Sequence, residues 1–178
     1  MRLDSGVPEL EGDLSLLSRV RFIVFDFDGV LTDNRVLVGQ DGSEYVFCSR
    51  ADGLGLEALT SAGIASMILS AERNSIVKAR ADKLKMECVQ GCVDKWADLE
   101  RILASRGIPV ESVAYVGNDV NDRDCLRHVG VPICVADAHP AVKPLAKLVT
   151  NYPGGHGAVR EICDLLIQAR ARQAESRL

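Results

Sequence analysis

Residues 21–33, RFIVFDFDGVLTD, join a run of large β-branched and aromatic side chains to two aspartates spaced two residues apart. The apolar run is typical of a strand buried on both faces. A strictly extended chain would place Asp26 and Asp28 on opposite faces. The Gly29 that follows permits a turn, which allows both carboxyl groups to reach one site. The segment therefore predicts a strand that ends in a polar, acidic loop.

Beyond this segment, short apolar runs alternate about six times with longer amphipathic ones. Strands are predicted for IASMIL, MECVQ, ESVAYVG and VPICVAD, and helices for residues 54–63, 74–85, 94–107, 119–130, 139–148 and 157–173. Such alternation is typical of an α/β fold with a doubly wound parallel sheet. A predicted β-hairpin, VLVGQDGSEYVF, interrupts it near the start. We expect residues 1–178 to form one domain, with its core at about 20–170.

The composition excludes several classes of function. Among 178 residues, 21 basic and 25 acidic side chains give a formal net charge of −4. This is not the basic surface of a nucleic-acid-binding protein, and no apolar run approaches the roughly 18 residues that span a bilayer. The first twenty residues lack the pattern of a secretory signal. We therefore expect a cytoplasmic protein with reduced cysteines, no nucleic-acid partner and no membrane association.

Polar residues follow several of the predicted strands. Asp26 and Asp28 follow the first strand, Ser70 follows IASMIL, Lys95 follows the loop after MECVQ, and the acidic stretch GNDVND (117–122) follows ESVAYVG. In doubly wound sheets, ligands bind beyond the carboxyl ends of the strands. The sequence therefore predicts that these groups converge on one edge of the sheet.

This ordered set, DFDGVLTD with Ser70, Lys95 and GNDVND, resembles the four-part signature of haloacid dehalogenase-type phosphatases. The resemblance implies a Rossmann-like core and a Mg²⁺-dependent phosphatase that forms an aspartyl phosphate. Asp26 would be the nucleophile and a metal ligand. Asp28 would be the general acid and base, and its backbone carbonyl would bind the metal. Ser70 and Lys95 would bind the non-bridging phosphate oxygens.

The fourth motif leaves the metal ligands open. Many members of this family have an aspartate directly after the glycine, whereas this chain has Asn118. Its amide oxygen is a suitable ligand but brings no charge. Asp119 or Asp122 is the alternative source of a carboxylate. We predict that Asn118 and Asp119 bind the metal and that Asp122 supports them from outside the ligand set.

The spacing of the motifs leaves no room for a cap domain, and the chain resembles one capless subfamily. This subfamily contains phosphatases of 3-deoxy-D-manno-octulosonate (KDO) 8-phosphate and of nine-carbon keto-sugar acid 9-phosphates. The matching segments are DGVLTD, RADGLGL, VADAHP (135–140) and GGHGAVRE (154–161). The resemblance implies a homotetramer in which the hairpin at 36–48 packs against neighbours. The Gly-rich segment would reach a neighbouring site, where Arg160 would meet a substrate anion.

Residues after the second motif bear on the substrate, which we expect to be a small phosphorylated sugar acid. KDO-type members tend to have Gly-Arg after the Ser or Thr, whereas Glu72 here resembles the nine-carbon type. Glu72 would accept hydrogen bonds from sugar hydroxyls, and Arg73 or Arg80 would pair with a carboxylate. A solvated helix face is the alternative for each arginine. The predicted substrate-binding residues are Asp52, Gly53, Glu72, Arg73, Arg80 and Arg160.

Two other functions compete with a selective phosphatase. Relatives fused to cytidylyltransferases suggest a non-catalytic tetramerisation domain, and Asn118 is consistent with a decayed metal site. An open site without a cap is also consistent with a phosphatase that acts on many small phosphates.

Overall fold

The computed structural model describes residues 14–176, so the expectation drawn from the first twenty residues lies mostly outside it. The helices are α1 (Leu14–Leu17), α2 (Arg50–Ser61), α3 (Ser75–Leu84), α4 (Lys95–Arg106), α5 (Arg123–His128) and α6 (Ala158–Glu175). The strands are β1 (Phe22–Phe25), β2 (Thr32–Val38), β3 (Glu44–Cys48), β4 (Ala65–Leu69), β5 (Glu87–Val89), β6 (Val113–Gly117), β7 (Val131–Cys134) and β8 (Leu148–Val149). Within the described range, no helix combines the length and apolar character needed to cross a membrane.

Six strands form a parallel sheet in the order β5-β4-β1-β6-β7-β8. All four residues of β1 are buried, and β1 lies between β4 and β6, as its continuous apolar run predicts. The order reverses direction at β1, which creates a crevice beyond the carboxyl ends of β1, β4 and β6. The predicted doubly wound sheet is confirmed.

No cap domain is present in the described part of the chain. Only the hairpin and α2 lie between β1 and β4, and only α3 and β5 lie between β4 and α4. The hairpin itself, β2 paired antiparallel with β3, forms a separate two-stranded sheet. The crevice at the edge of the main sheet is therefore open on the side that a cap would cover.

Local capping determines where α4 begins, and thereby places Lys95. The Asp94 side chain accepts a hydrogen bond from the backbone N–H of Ala97 at 3.0 Å, which makes it the N-cap. Gly107 ends the helix in the left-handed conformation, with φ 63°. Lys95 is consequently the first residue of the helix, and its side chain is buried at the helix N-terminus.

Two predicted helices differ from the structure. Residues 139–148 form only one 3-10 turn, Lys143–Leu145, because prolines at 140 and 144 remove backbone donors. The helix predicted at 119–130 divides into a 3-10 turn, Val120–Asp122, followed by α5. A reciprocal capping box fixes the first of these turns, because the side chains of Asp119 and Asp122 each accept a hydrogen bond from the backbone N–H of the other residue.

Candidate active site

A cleft of about 440 Å³ lies at the carboxyl ends of β1, β4 and β6. It is lined by six of the predicted residues, Asp26, Asp28, Ser70, Glu72, Asn118 and Asp119, and by Asn34, Ala71, Val120 and Asn121. A larger cleft of about 770 Å³ lies between α6 and the segment before β1, but no carboxylate lines it. The predicted chemistry therefore belongs to the cleft at the sheet edge.

The turn after β1 brings both aspartates of the first motif to this cleft. Gly29 has φ 78°, which favours glycine, and a Cβ there would lie 2.0 Å from the Asn118 amide nitrogen. The Gly29 N–H donates to Thr32 Oγ1 at 3.1 Å, which closes the turn. Only glycine therefore allows the first and fourth motifs to approach so closely.

The Gly-rich segment supports the same turn from the other side. A Cβ on Gly154 would lie 1.9 Å from the Gly29 carbonyl oxygen, and one on Gly155 would lie 2.4 Å from the Asp33 nitrogen. The Gly155 N–H donates to the Val30 carbonyl at 3.0 Å. The backbone of these two glycines therefore packs against the first motif of their own chain, and the reach of the segment to a neighbouring site stays a prediction.

Lys95 links the first and fourth motifs. Its Nζ lies 2.7 Å from Asp26 Oδ1 and 2.7 Å from Asp122 Oδ1, and all three side chains are buried. Tyr115 Oη donates to the same Asp122 oxygen at 2.7 Å. The backbone N–H groups of Asn118 and Asp119 donate to Asp122 Oδ2 at 2.8 and 3.2 Å. Both Asp122 oxygens are thus engaged, as the predicted supporting role requires.

Burial and charge shift the pKa values of these groups upward. Burial raises the pKa of Asp26 to about 7; the charge of Asp122 adds to this effect and Lys95 opposes it. Burial also raises the pKa of Asp28, with Glu72 and Glu44 adding to it. Burial acts to lower the pKa of Lys95, but Asp26 and Asp122 outweigh it, so that pKa is raised. Lys95 therefore remains a cation at neutral pH.

Asn118 presents an unsatisfied acceptor. Its Oδ1 is buried and has no hydrogen-bond partner among the described residues. A buried amide oxygen without a donor is costly unless something else satisfies it. No three His, Cys, Asp or Glu side chains within residues 14–176 form a metal cluster. The Asp26 carboxylate and Asn118 Oδ1 are donors that fit a hard cation here, and Asp28 and Asp119 also line the cleft.

Ser70 and Glu72 form the wall contributed by β4. Ser70 is buried at the end of β4, and its Oγ accepts a hydrogen bond from the Glu72 N–H at 3.1 Å. The acceptor role leaves the hydroxyl proton available to a ligand. Glu72 also lines a smaller pocket of about 190 Å³ that leads from Asp28 towards the hairpin, where Glu44 and Val46 lie.

Five predicted substrate-binding residues do not line the cleft of their own chain: Asp52, Gly53, Arg73, Arg80 and Arg160. Asp52 is fully buried, and its Oδ1 accepts a hydrogen bond from the Arg160 N–H in the first turn of α6 at 3.2 Å. The Arg80 guanidinium donates to the Ser49 carbonyl at 2.8 Å, and the Arg160 guanidinium pairs with Asp164. Asp52 therefore connects α2 to α6 inside the chain, which corrects its prediction as a substrate contact.

The other two predicted substrate-binding residues outside the cleft are Gly53 and Arg73. Gly53 lies on α2, where a Cβ would meet Leu84 Cδ2 of α3 at 3.3 Å. Its lack of a side chain therefore serves helix packing. Arg73 is exposed, and its Cγ lies beside Gly91.

The buried carboxyl group of Asp52 predicts a specific pH dependence of stability. Burial raises its pKa from 3.8 to about 6, so the native state holds a proton that the unfolded chain releases between about pH 4 and pH 6. Stability therefore falls as pH rises through this window. We expect Asp52→Asn to remove the part of that fall that Asp52 causes, leaving the part due to the raised pKa values of Asp26 and Asp28, and to increase the free energy of unfolding at pH 7 by about 1–3 kcal/mol.

Urea denaturation between pH 4 and pH 7 measures this effect. The matched control is Asp82→Asn, because Asp82 is exposed on α3 and pairs only with Lys78; we expect it to change stability by less than about 0.5 kcal/mol. An Asp52→Asn profile parallel to the wild-type profile would refute the assignment.

Sequence reasoning missed three positions at or beneath the cleft. Asn34 lines both pockets and has φ 62°, a left-handed conformation that asparagine tolerates better than most residues. Val120 is half-exposed at the cleft wall. Tyr115 lies beneath the cleft, and in the sequence it is indistinguishable from the apolar residues of β6.

Comparison with known proteins agrees with this geometry. Residues 62–162 match the family described as haloacid dehalogenase-like hydrolase. The chain is 34% identical over 164 residues to 3-deoxy-D-manno-octulosonate 8-phosphate phosphatase KdsC of Yersinia pestis, covering 92% of this chain and 88% of the relative.

Two solved structures extend the comparison. A putative HAD family hydrolase from Streptomyces avermitilis is 46% identical, with a TM-score of 0.82 and coverage of 84% of this chain and 86% of that chain. The KDO 8-phosphate phosphatase of Moraxella catarrhalis, in complex with magnesium, phosphate and KDO, is 28% identical, with a TM-score of 0.85 and coverage of 93% and 97%. The chain therefore belongs to the haloacid dehalogenase-like hydrolase family, within the capless group that contains the KDO 8-phosphate phosphatases.

Proposed function

We propose that this protein is a Mg²⁺-dependent phosphatase that hydrolyses the phosphate monoester of a keto-sugar acid through a phosphorylated Asp26. The observation that carries the proposal is the Asp26–Lys95 ion pair, 2.7 Å long. Asp26 lines an open cleft together with Asp28, Ser70 and Asn118, and the buried Lys95 side chain lies against Asp26. A nucleophile, an acid, a cation and an amide oxygen without a partner are thereby gathered at one sheet edge.

Asp26, the Asp28 backbone carbonyl and Asn118 would hold the magnesium ion, with Asp119 as a fourth donor. The ion, when bound, supplies positive charge that keeps Asp26 ionised and offsets its repulsion of the substrate phosphate. The raised pKa of Asp26, about 7, indicates that burial, together with the charge of Asp122, disfavours its charged form. Asp122 is a poor direct ligand, because Lys95, Tyr115 and two backbone N–H groups already engage its oxygens.

The two chemical steps follow from the positions of the side chains. Asp26 Oδ1 accepts hydrogen bonds from Lys95 and from the Phe27 N–H, so Oδ2 is the oxygen free to attack phosphorus. As the bond from phosphorus to the ester oxygen breaks, Asp28 protonates the departing alkoxide. Asp28 then takes a proton from water, which attacks phosphorus and releases Asp26. Lys95 and Ser70 would stabilise the non-bridging oxygens in both steps.

The substrate class rests on the relatives and on the second pocket. Two of the relatives named above, those of Yersinia pestis and Moraxella catarrhalis, are 3-deoxy-D-manno-octulosonate 8-phosphate phosphatases. In this chain the pocket beyond Asp28 carries Asn34, Glu44 and Glu72, which suit a hydroxyl-rich leaving group. Glu72 favours the nine-carbon type within this class.

We also propose a homotetramer whose neighbours complete the open site. The hairpin exposes large apolar side chains along both strands: Val36, Leu37, Val38, Tyr45 and Phe47, each more than half exposed. An isolated two-stranded hairpin is marginally stable alone, and exposed apolar side chains on both of its faces are typical of an interface. A second copy of the chain supplies a matching surface by symmetry.

One experiment tests the proposed function against its alternatives. Purified protein, with its mass measured by light scattering, is assayed with Mg²⁺ and with EDTA on KDO 8-phosphate, a nine-carbon keto-sugar acid 9-phosphate and p-nitrophenyl phosphate. We expect a tetramer whose kcat/KM is at least about 10²-fold higher on a keto-sugar acid phosphate than on p-nitrophenyl phosphate, and which is inactive in EDTA.

Each other outcome identifies a competing function. A tetramer without turnover on any substrate would indicate a non-catalytic tetramerisation domain. Similar kcat/KM values across the whole panel would indicate a broad-specificity phosphatase.

A further inference from the structure

Tyr115 has a hydroxyl group for which packing gives no reason. The residue is fully buried in β6, in a core that elsewhere uses phenylalanine at Phe22, Phe25 and Phe27. Phenylalanine would fill nearly the same volume without burying a polar atom, so the hydroxyl at this position calls for an explanation of its own. It donates to Asp122 Oδ1 at 2.7 Å, and burial raises the pKa of Tyr115 well above its ordinary value, so it remains a donor.

The Asp122 carboxylate accepts hydrogen bonds from four donors, two on each oxygen. Oδ1 accepts from Tyr115 and from Lys95, each at 2.7 Å, while Oδ2 accepts from the two backbone N–H groups of the fourth motif. The carboxylate is completely buried, so water is not available to replace a lost donor. Removing the Tyr115 hydroxyl would leave Lys95 as the only donor to Oδ1.

Lys95 lies between two buried carboxylates at equal distances, 2.7 Å to Asp26 Oδ1 and 2.7 Å to Asp122 Oδ1. The position of its ammonium group depends on how strongly each carboxylate attracts it. A donor that partly neutralises Asp122 leaves more of the lysine charge for Asp26 and for a phosphoryl group beside it. A less satisfied Asp122 would draw the ammonium away from the cleft.

We infer that Tyr115 is a positioning residue for phosphoryl transfer: its hydroxyl, acting through Asp122, keeps the Lys95 ammonium against Asp26 and the reacting phosphate. Tyr115 is completely buried and its hydroxyl is taken up by Asp122, so we assign it no contact with substrate or metal. The inference rests on the proposed function, because it assigns Lys95 to stabilisation of the transition state.

Tyr115→Phe tests this inference with the volume nearly unchanged. We expect kcat on the best substrate of the panel to fall about tenfold, with KM changed less than twofold, because the lost interaction matters most in the transition state. The inhibition constant for vanadate, a mimic of the five-coordinate phosphoryl group, should rise about tenfold. The constant for inorganic phosphate should change less than twofold. Tyr152→Phe, which removes a hydroxyl from a half-exposed tyrosine, is the control and should change none of these values.

A double-mutant cycle separates action through Asp122 from a general effect on the fold. In an Asp122→Asn background, we expect Tyr115→Phe to lower kcat less than twofold further, because the residue on which it acts has lost its charge. The ratio of the vanadate and phosphate inhibition constants does not depend on the fraction of active protein, so it decides the question even if a variant is destabilised.

Two results would overturn the inference. One is a Tyr115→Phe enzyme with wild-type kcat and a wild-type ratio of the inhibition constants. The other is a full tenfold loss of kcat on adding Tyr115→Phe to Asp122→Asn. A wild-type protein without phosphatase activity would instead refute the proposed function, so the two failures are distinguishable.

Discussion

Asp26→Asn is expected to lower kcat by at least about 10⁴-fold, because an amide cannot attack phosphorus to form the acyl phosphate. The fold should persist. An asparagine Oδ1 can still accept the Phe27 N–H, and Lys95 keeps Asp122 as its partner. Phosphate release under saturating Mg²⁺ measures the loss, and thermal unfolding confirms that the variant is folded.

The control for this substitution is Asp124→Asn, because Asp124 is exposed on α5 and pairs only weakly with Arg127, at 3.7 Å. It should retain wild-type kcat. Phosphate release that survives Asp26→Asn within tenfold of wild type would mean that another group, or water directly, attacks the phosphorus.

Lys95→Gln is expected to damage both stability and turnover. Asp26 and Asp122 are buried and share Lys95 as their cation, so its removal leaves two buried carboxylates without a countercharge, although Tyr115 and backbone N–H groups still donate to them. Removing one member of a buried ionic network typically costs about 3–5 kcal/mol of unfolding free energy. Loss of a preorganised donor to the reacting phosphate should also lower kcat by about 10²- to 10³-fold.

Urea denaturation in EDTA, together with kcat under saturating Mg²⁺, measures the two effects separately. Lys147→Gln is the matched control, because Lys147 is exposed and its Nζ donates only to the Gly130 carbonyl. If the Lys95→Gln protein is as stable as the control, Asp26 and Asp122 are not both ionised side chains that depend on Lys95 in the native state.

The convergence of the proposed catalytic groups was predictable because it follows from topology. Parallel strands end at one edge of the sheet. To predict where Asp26, Ser70 and the fourth motif lie, it was therefore enough to identify the strand that precedes each of them. To predict the position of Lys95, it was enough to identify the start of a helix, and Asp94 is a typical N-cap residue directly before it. Each of these features is local, and local patterns are what a sequence displays.

The features that escaped prediction depend on contacts between distant parts of the chain. Nothing near Asp52 indicates that its carboxyl group will meet the backbone of Arg160, 108 residues away, inside the α2–α6 interface. The Gly-rich segment was correctly noticed, but its contact with the turn at Gly29 depends on where α6 begins. The tyrosine of β6 resembles any other buried residue until the position of Asp122 is known.

The lining of the cleft and the second pocket supports the proposal that a neighbouring copy of the chain completes the site. Groups that would bind a substrate carboxylate are scarce within one copy, because Glu44 and Glu72 line the second pocket and its one arginine, Arg35, pairs with Asp33. An anionic keto-sugar acid therefore requires positive charge from elsewhere in the assembly, or a position that directs its carboxylate to solvent.

The most direct test of the central claim is to identify the phosphorylated side chain during turnover. Enzyme mixed with the best substrate is quenched rapidly and reduced with borohydride, which converts an acyl phosphate of aspartate to homoserine. Tryptic cleavage after Arg21 and Arg35 then isolates residues 22–35 for sequencing by mass spectrometry. The account predicts homoserine at position 26. Homoserine at position 28, or none at any position while phosphate is being released, would contradict it.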